Sequence, residues 1–316
     1  MRKAIVAGQF YEADSKKLKN ELKSLFDQTK KISVKGAVGL IVPHAGYFYS
    51  GKAAALAYQS LQNKFDTFVI LGPNHSGLGD SISLEDFETP LGIAKNDAEF
   101  SKELLNFGIL ERNENAHKYE HSIEVQLPFL QYLFGKIKKS SRDFRMQEIQ
   151  QNSPAQKIKN DFRVLRNENI SDIKIVPIIL GNIDYEKCKE IAEAIEKIAK
   201  KLKRKICVIA SSDFTHYGES YGFIPFSGTE EEIKKKMYDL DKKAISFIEK
   251  LDGKEFFNFS QQITICGRIP ITILTEYCKL LKKKAKAKLL VYYTSGDIVQ
   301  DYSTAVGYAS VIMYRD

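Results

Sequence analysis

The chain has 316 residues, of which 43% are hydrophobic and 28% charged, with a formal net charge of +8. That is ordinary for a globular protein; no apolar run approaches the roughly 18 residues of a membrane helix, and MRKAIVAGQFYEADSKK lacks a signal-length apolar core. A cytoplasmic protein with no membrane partner is expected. The positive charge is concentrated in residues 136–168, with nine Lys/Arg against four Asp/Glu, and in Lys279–Lys288, with six lysines and no acid. The remainder is slightly acidic, and no aromatic-basic interleaving accompanies either run, so no nucleic-acid partner is expected.

In chain order, a strand at Ala37–Val42 precedes a helix over Gly51–Leu61, and a second strand covers Thr67–Leu71. Ser81–Leu84 and Leu91–Ala94 read as a hairpin around EDFETP. Asp97 is placed to cap a helix reaching Asn106, and Ser122–Phe134 reads as a helix bent or delayed by Pro128. Ile173–Leu180 is an apolar strand whose Pro177 argues for a sheet edge or a bulge. The helix Tyr185–Leu202 and the strand Ile206–Ala210 follow. Helices over Glu230–Leu251 and Ile269–Lys284 lead to closing antiparallel strands at Leu289–Thr294 and Ala305–Tyr314. Lys136–Asn169 is polar, lacks an apolar period and reads as a basic surface insertion. Strands separated by helices predict a single α/β domain over 1–316, with a central mixed sheet flanked by helices.

Three of the five histidines stand just past strand ends: His44 after GLIVP, His75 after FVILGPN and His216 after CVIASSDFT. Parallel α/β sheets bind ligands at the carboxyl ends of their strands, so distant residues converge there. Each of the three lies beside glycine or proline, which turn the backbone sharply at a loop mouth. Imidazole is the commonest protein ligand for first-row metals, which makes His44 and His75 candidate ligands; the bland alternative is a cap for a neighbouring helix or turn. A third ligand is open between Asp213, Glu120, Glu124, His121 and Cys266. Asp213 and His216 share one loop, where one can orient a substrate while the other moves a proton; Asp213 otherwise reads as a helix cap. His121 and Glu124 read as outer-shell groups or caps.

His117 and His121 are four apart, but Glu120 is displaced from its place in HExxH, which excludes a zincin. No GxxxxGK[ST], no GxGxxG after the first strand and no GxSxG elbow occurs. The four cysteines show no CxxC spacing, which excludes a zinc ribbon or a thioredoxin motif. Cys207 reads as core, Cys188 and Cys278 carry no chemical signal, and Cys266 stands before Gly267 at a predicted helix start.

Several blocks together are more specific than any one of them. Ala7-Gly8-Gln9-Phe10-Tyr11, Val42-Pro43-His44-Ala45-Gly46-Tyr47 with Tyr49-Ser50-Gly51, and Leu71-Gly72-Pro73-Asn74-His75 occur in that order. They are followed by Glu120-His121-Ser122-Ile123-Glu124-Val125-Gln126-Leu127-Pro128-Phe129, Ser211-Ser212-Asp213-Phe214-Thr215-His216-Tyr217-Gly218 and Ile265-Cys266-Gly267. This series resembles the MEMO family, also labelled AmmeMemoRadiSam system protein B, over nearly the whole chain. The resemblance implies the fold of class III extradiol dioxygenases (LigB-like), non-haem iron enzymes with two histidines and a carboxylate on Fe(II). It makes His44 and His75 metal ligands and His216 the acid/base, with Cys266 in the carboxylate's place, a replacement typical of MEMO proteins. It implies a transition metal, Fe(II) by preference with Cu(I) or Zn(II) as alternatives. Tyr49, Asn74, His121 and Glu124 are expected around the substrate or behind the ligands. The family is also described as peptide-binding and redox-related. A non-haem iron or copper redox protein is therefore expected, against a peptide-binding module without catalysis or a copper-handling protein. The label adds a radical-SAM protein as an expected partner, beside a peptide or small molecule in the cleft.

Overall fold

Strand segments that are apolar on both faces form the centre of the fold. The computed structural model describes residues 1–137, 170–171, 173–281 and 284–315. Its strands are β1 (Ala37–Val42), β2 (Thr67–Pro73), β3 (Ser81–Ile82), β4 (Phe87–Thr89), β5 (Gly92–Asn96), β6 (Glu111–Arg112), β7 (Lys136–Ile137), β8 (Ile170–Ser171), β9 (Lys174–Leu180), β10 (Ile206–Ser211), β11 (His216–Tyr217), β12 (Ala285–Thr294) and β13 (Ala305–Arg315). The helices are α1 (Ser15–Asp27), α2 (Tyr47–Ser60), α3 (Ala98–Asn106), α4 (Glu114–Lys118), α5 (Leu127–Phe134), α6 (Tyr185–Lys201), α7 (Glu230–Glu249), α8 (Gly253–Ser260), α9 (Arg268–Lys279) and α10 (Ser295–Val299).

The main sheet runs β11-β13-β1-β10-β2-β9-β3-β6, with β12 paired to β13, and β4 joined to β9 through β5. Strands β1, β10, β2 and β9 are mutually parallel, whereas β13 is antiparallel to β1 and β12 to β13. The result is the expected α/β architecture with a mixed sheet. Period-two alternation divides the core. Val69, Leu71, Val176, Ile178, Val208 and Ala210 face one apolar cluster, which holds side chains of α3, α6, α7, α8 and α9. Phe68, Ile70, Ile175, Ile179, Cys207 and Ile209 face the other, with α1, α2 and α5. Strands buried on both faces read as continuous apolar runs, which is why they were legible in the sequence.

Four expectations need correction. The hairpin is β4–β5, Phe87–Thr89 against Gly92–Asn96, while Ser81–Ile82 pairs with β9 and β6. Pro177 is not on an edge strand, because β9 has neighbours on both flanks. Its outer flank is interrupted: β5 pairs as far as Ile175, β3 begins at Ile178, and Pro177 lies in the gap with no amide hydrogen to satisfy. The predicted helix 122–134 begins as a 3-10 turn at Glu124–Gln126 and becomes α-helical at Leu127, with Pro128 in its first turn, where a missing N–H costs nothing. The last long helix ends at Lys279, and α1, α4 and α8 were not anticipated. The α3 reading is confirmed: Asp97 accepts the Phe100 N–H. Nearly all of Lys136–Asn169 lies outside the described residues. No described helix is long and apolar enough to cross a membrane.

Candidate metal centre

The sheet order explains why three histidine loops meet. Strands β1, β10 and β2 are neighbours, and His44, His216 and His75 follow their carboxyl ends in that order. A fourth loop, before the 3-10 turn, adds His121, and the start of α9 adds Cys266. Gly267 makes the last approach feasible. A β-carbon there would lie 2.3 Å from Ser212 Cβ and 2.6 Å from the Ser211 carbonyl oxygen, so only glycine lets the Cys266 loop rest on the end of β10.

One donor atom from each of His44, His75 and Cys266 lies within 4.8 Å of the others. The ring centroids of His44 and His75 are 5.4 Å apart, and His121 stacks on His75 at 4.9 Å. Hydrogen bonds behind the rings set their tautomers. Ser211 gives its single hydroxyl proton to the Ser122 carbonyl at 2.7 Å, so it accepts from Gln126 Nε2 at 2.9 Å and from His44 Nδ1 at 3.0 Å. His44 therefore holds its proton on Nδ1 and leaves Nε2 bare, 3.3 Å from Cys266 Sγ. His75 Nδ1 lies 3.0 Å from Glu120 Oε1, and Glu120 also accepts the backbone N–H of His75 and of Ser122, each at 2.8 Å. His216 Nδ1 donates to the Thr264 carbonyl at 2.8 Å. All three imidazoles thus spend Nδ1–H on a protein acceptor and keep Nε2 free. A ligating histidine needs the same arrangement, with the outer acceptor fixing ring orientation and raising basicity.

The electrostatics agree. Burial drives the His44 pKa well below its ordinary 6.5, and the neighbouring His75, His121 and His216 push the same way. His44 is a neutral imidazole, the form that ligates. Burial would lower His75 too, but the hydrogen bond and charge of Glu120 outweigh it and raise the pKa. Glu120 is the converse: burial raises it, yet the His75 hydrogen bond and charge with two backbone N–H groups hold it down, at about 2. Burial, then the Asp213 charge, raises the Cys266 thiol above its ordinary 9.0, so Cys266 is a thiol until a cation draws its proton off.

Asp213 is not a helix cap. It accepts the His44 N–H at 2.8 Å, while its own N–H points at Cys266 Sγ at 3.3 Å, so it ties the β1 and α9 loops together. Glu120, read from the sequence only as a ligand candidate, orients His75. It forms a second possible donor set with His75 and His121, but its oxygens are already engaged by three N–H groups. His121 stands inside the cluster, edge-on to His44 and to Phe10 of the N-terminal block. Asn74 shapes the His75 loop by accepting from Ser76 and donating to the Gly79 carbonyl. The Tyr49 carbonyl accepts from Tyr293, and its ring meets Phe48 edge-on at 4.9 Å.

Glu124 lies fully buried. Its carboxylate accepts from Arg2, from the N–H groups of Ile5 and Val6, and from the Tyr11 hydroxyl. Ser211, Thr264, Gln126 and Arg2 were missed by sequence reasoning. Only Arg2 offered any signal, as one of two basic residues ahead of the apolar Ala4-Ile5-Val6-Ala7. Cys207 is buried in the core, as expected, and Cys188 and Cys278 are buried too.

Glu120→Gln is expected to weaken metal binding about 10–100-fold, the usual cost of removing a ligand's outer carboxylate. It also has a pH signature. A carboxyl group whose pKa falls from 4.5 to about 2 on folding contributes stability that is complete above about pH 4.5 and lost as pH falls towards 2. Acid denaturation of the variant should therefore be flatter over that window; an identical acid limb and identical metal affinity would refute the role.

Similarity to known proteins is consistent along the chain. A family described as Memo-like protein matches residues 2–150 and 157–312, the break falling within the basic insertion. A MEMO1 family protein of Methanocaldococcus jannaschii is 38% identical over 330 positions, spanning 99% of each chain. Others from Pyrococcus horikoshii and Methanosarcina mazei are each 36% identical, over 321 and 317 positions, spanning 98% and 99% of each chain. Matches of this extent, over a sheet of the LigB-like dioxygenase type, mean that the chain belongs to the Memo-like family.

Proposed function

We propose that this chain is a metal-dependent redox protein related to extradiol dioxygenases, with His44, His75 and Cys266 as ligands and His216 as acid/base. The observation that carries this reading is the set of three imidazoles with Nδ1–H committed behind them and Nε2 free in front. The donors fit a soft or borderline first-row ion: two imidazoles and one thiol suit Fe(II), Cu(I) or Zn(II) and disfavour Mg(II) or Ca(II). Bound there, Fe(II) or Cu(I) would supply one-electron redox chemistry and an open position for a small ligand.

The chain's own residues do the rest. Cys266 must release its proton to ligate, so affinity rises with pH. Asp213 holds the His44 turn and the Cys266 sulfur in register. In this reading His216, with Nδ1–H on Thr264, uses its free Nε2 to take a proton from a bound hydroxyl or return one, and the Tyr221 ring meets it edge-on at 4.9 Å.

Cys266→Asp tests this reading. Carboxylate oxygen is the harder ligand, so the ratio of Cu(I) to Fe(II) affinity should fall, by about tenfold or more. Anaerobic titration of both ions into wild type and variant gives the ratio directly, and an unchanged ratio removes Cys266 from the site.

A second reading is a ligand-binding cleft without turnover, a peptide being one occupant. It is favoured by exposed side chains on the histidine-bearing loops: Phe48 (73%), Tyr119 (68%), Leu78 (52%), Ile224 (51%) and Tyr221 (42%). Large apolar groups left in water around a polar cleft mark a binding rim. Metal-free protein that binds an aromatic peptide as well as the loaded protein would favour this reading over the redox one.

A further inference from the structure

A cavity opens at the end of the sheet opposite the histidines. It has a volume of about 900 Å³, at the upper end of what small-molecule sites occupy. It is built at the amino ends of β1 and β10 and the carboxyl end of β13, about 20 Å from the histidines by the length of a six-residue strand. Its walls include Val38, Phe65, Ile206, Tyr277 and Leu281, and its rim carries Lys64, Lys200, Lys203, Arg204, Lys205 and Arg315. Glu196 is the one acid among the lining residues.

Two of these cations are engaged: Lys200 pairs with Glu196, and Arg204 with Asp97 and Glu99. No described residue forms an ion pair with Lys64, Lys203, Lys205 or Arg315. The plain alternative is that the cations offset the negative carboxyl ends of α6 and α9. Lys200, Lys201 and Lys279 sit in those last turns and serve that purpose, but the four free cations lie outside both helices.

Two backbone features shape the rim. Lys203 has φ of +54°, a left-handed conformation that favours glycine after a helix, yet the position holds a cation. Gly36, at φ +70°, lets the end of β13 come so close that a β-carbon there would meet the Arg315 carbonyl oxygen, and the Arg315 N–H donates to the Gly36 carbonyl at 2.9 Å. The Arg315 backbone is thereby fixed at the cavity. The Tyr277 hydroxyl, near Arg315, forms no hydrogen bond with a described residue and is open to solvent at the cavity, although the residue is only 5% exposed.

We infer that this cavity binds a small anion carrying a planar ring, of the size and chemistry of a mononucleotide. A guanidinium with a phenol hydroxyl and free ammonium groups suits a phosphate, because arginine grips its oxygens in pairs. The Phe65 and Tyr277 rings with Val38, Ile206 and Leu281 suit a flat apolar body.

The probe is adenosine monophosphate, with inorganic phosphate and adenosine as its halves, followed by calorimetry on the full chain. The nucleotide should bind more tightly than either half. Arg315→Gln should weaken it about tenfold and Tyr277→Phe about threefold, in line with a charge-assisted and a neutral hydrogen bond. Lys203→Gly separates binding from folding: it should raise the thermal midpoint by relieving the left-handed backbone while weakening the nucleotide. Metal affinity at the histidine cluster should not change in any of the three. The inference is overturned if wild type takes up no nucleotide at millimolar concentration, or if all three variants keep wild-type affinity. Tighter binding of an oligonucleotide than of the monomer would also overturn it.

Discussion

His44→Ala, His75→Ala and Cys266→Ala are each expected to strip the protein of its metal while leaving the fold in place. His44 and His75 sit at loop mouths beyond strand ends and Cys266 at the start of α9, supported from behind by Ser211, Glu120 and the Asp213 N–H. Removing a ligand should cost more than the roughly 10–100-fold attached to an outer partner. The sheet and its two apolar clusters contain none of the three side chains, so the circular dichroism spectrum should be retained. Anaerobic Fe(II) and Cu(I) titrations beside far-ultraviolet spectra check both halves. Wild-type affinity in all three variants would show that the cluster does not hold metal.

A larger effect on stability is expected from Glu124→Ala. Arg2 and Glu124 form an ion pair at 2.6 Å with both side chains almost wholly buried, and Arg2 also donates to the carbonyl oxygens of His117 and Glu120. Removing one member leaves the other as an uncompensated buried charge, which costs about 3–5 kcal/mol. The N-terminal segment should loosen as well, because Ile5, Val6 and Tyr11 lose their common acceptor. Arg2 reaches the Glu120 carbonyl, and the Glu120 side chain orients His75, so metal affinity should fall with stability. The double variant Arg2→Met with Glu124→Leu should recover much of the loss, since a buried pair replaced by apolar groups is often close to neutral. Urea unfolding of both proteins measures this. A loss below about 1 kcal/mol in the single variant would mean that water reaches the pair.

These two results bear on different levels of the molecule. The two histidine ligands were legible as residue types at strand ends and Cys266 only through the family resemblance, whereas the ion pair joins residues 122 positions apart in sequence. Glu124 illustrates the difficulty. Placed near His121 in an unusual sequence block, it was expected beside the substrate or behind a ligand, yet its oxygens are consumed by the first eleven residues of the chain. Pro177 misled for a related reason. Proline within a strand argues for an edge only when both flanks of the strand are continuous, and the interruption between β5 and β3 is a property of pairing.

By itself the sequence determined the alternation of strands and helices, because burial on both faces forces continuous apolar runs and burial on one forces helical spacing. It also determined that His44, His75 and His216 lie at strand ends, since glycine, proline and polar residues after an apolar run mark the loop mouth. The strand order was decided only by the tertiary structure: β10 inserts between β1 and β2, and that insertion makes the three histidine loops neighbours. The same holds for the proton positions. Whether Nε2 is free depends on Ser211, Glu120 and Thr264, which meet their histidines across 167, 45 and 48 residues. Periodicity reports the face on which a side chain lies, but hydrogen bonds across the sheet arise only when the chain has closed on itself, and those bonds set which nitrogen can ligate.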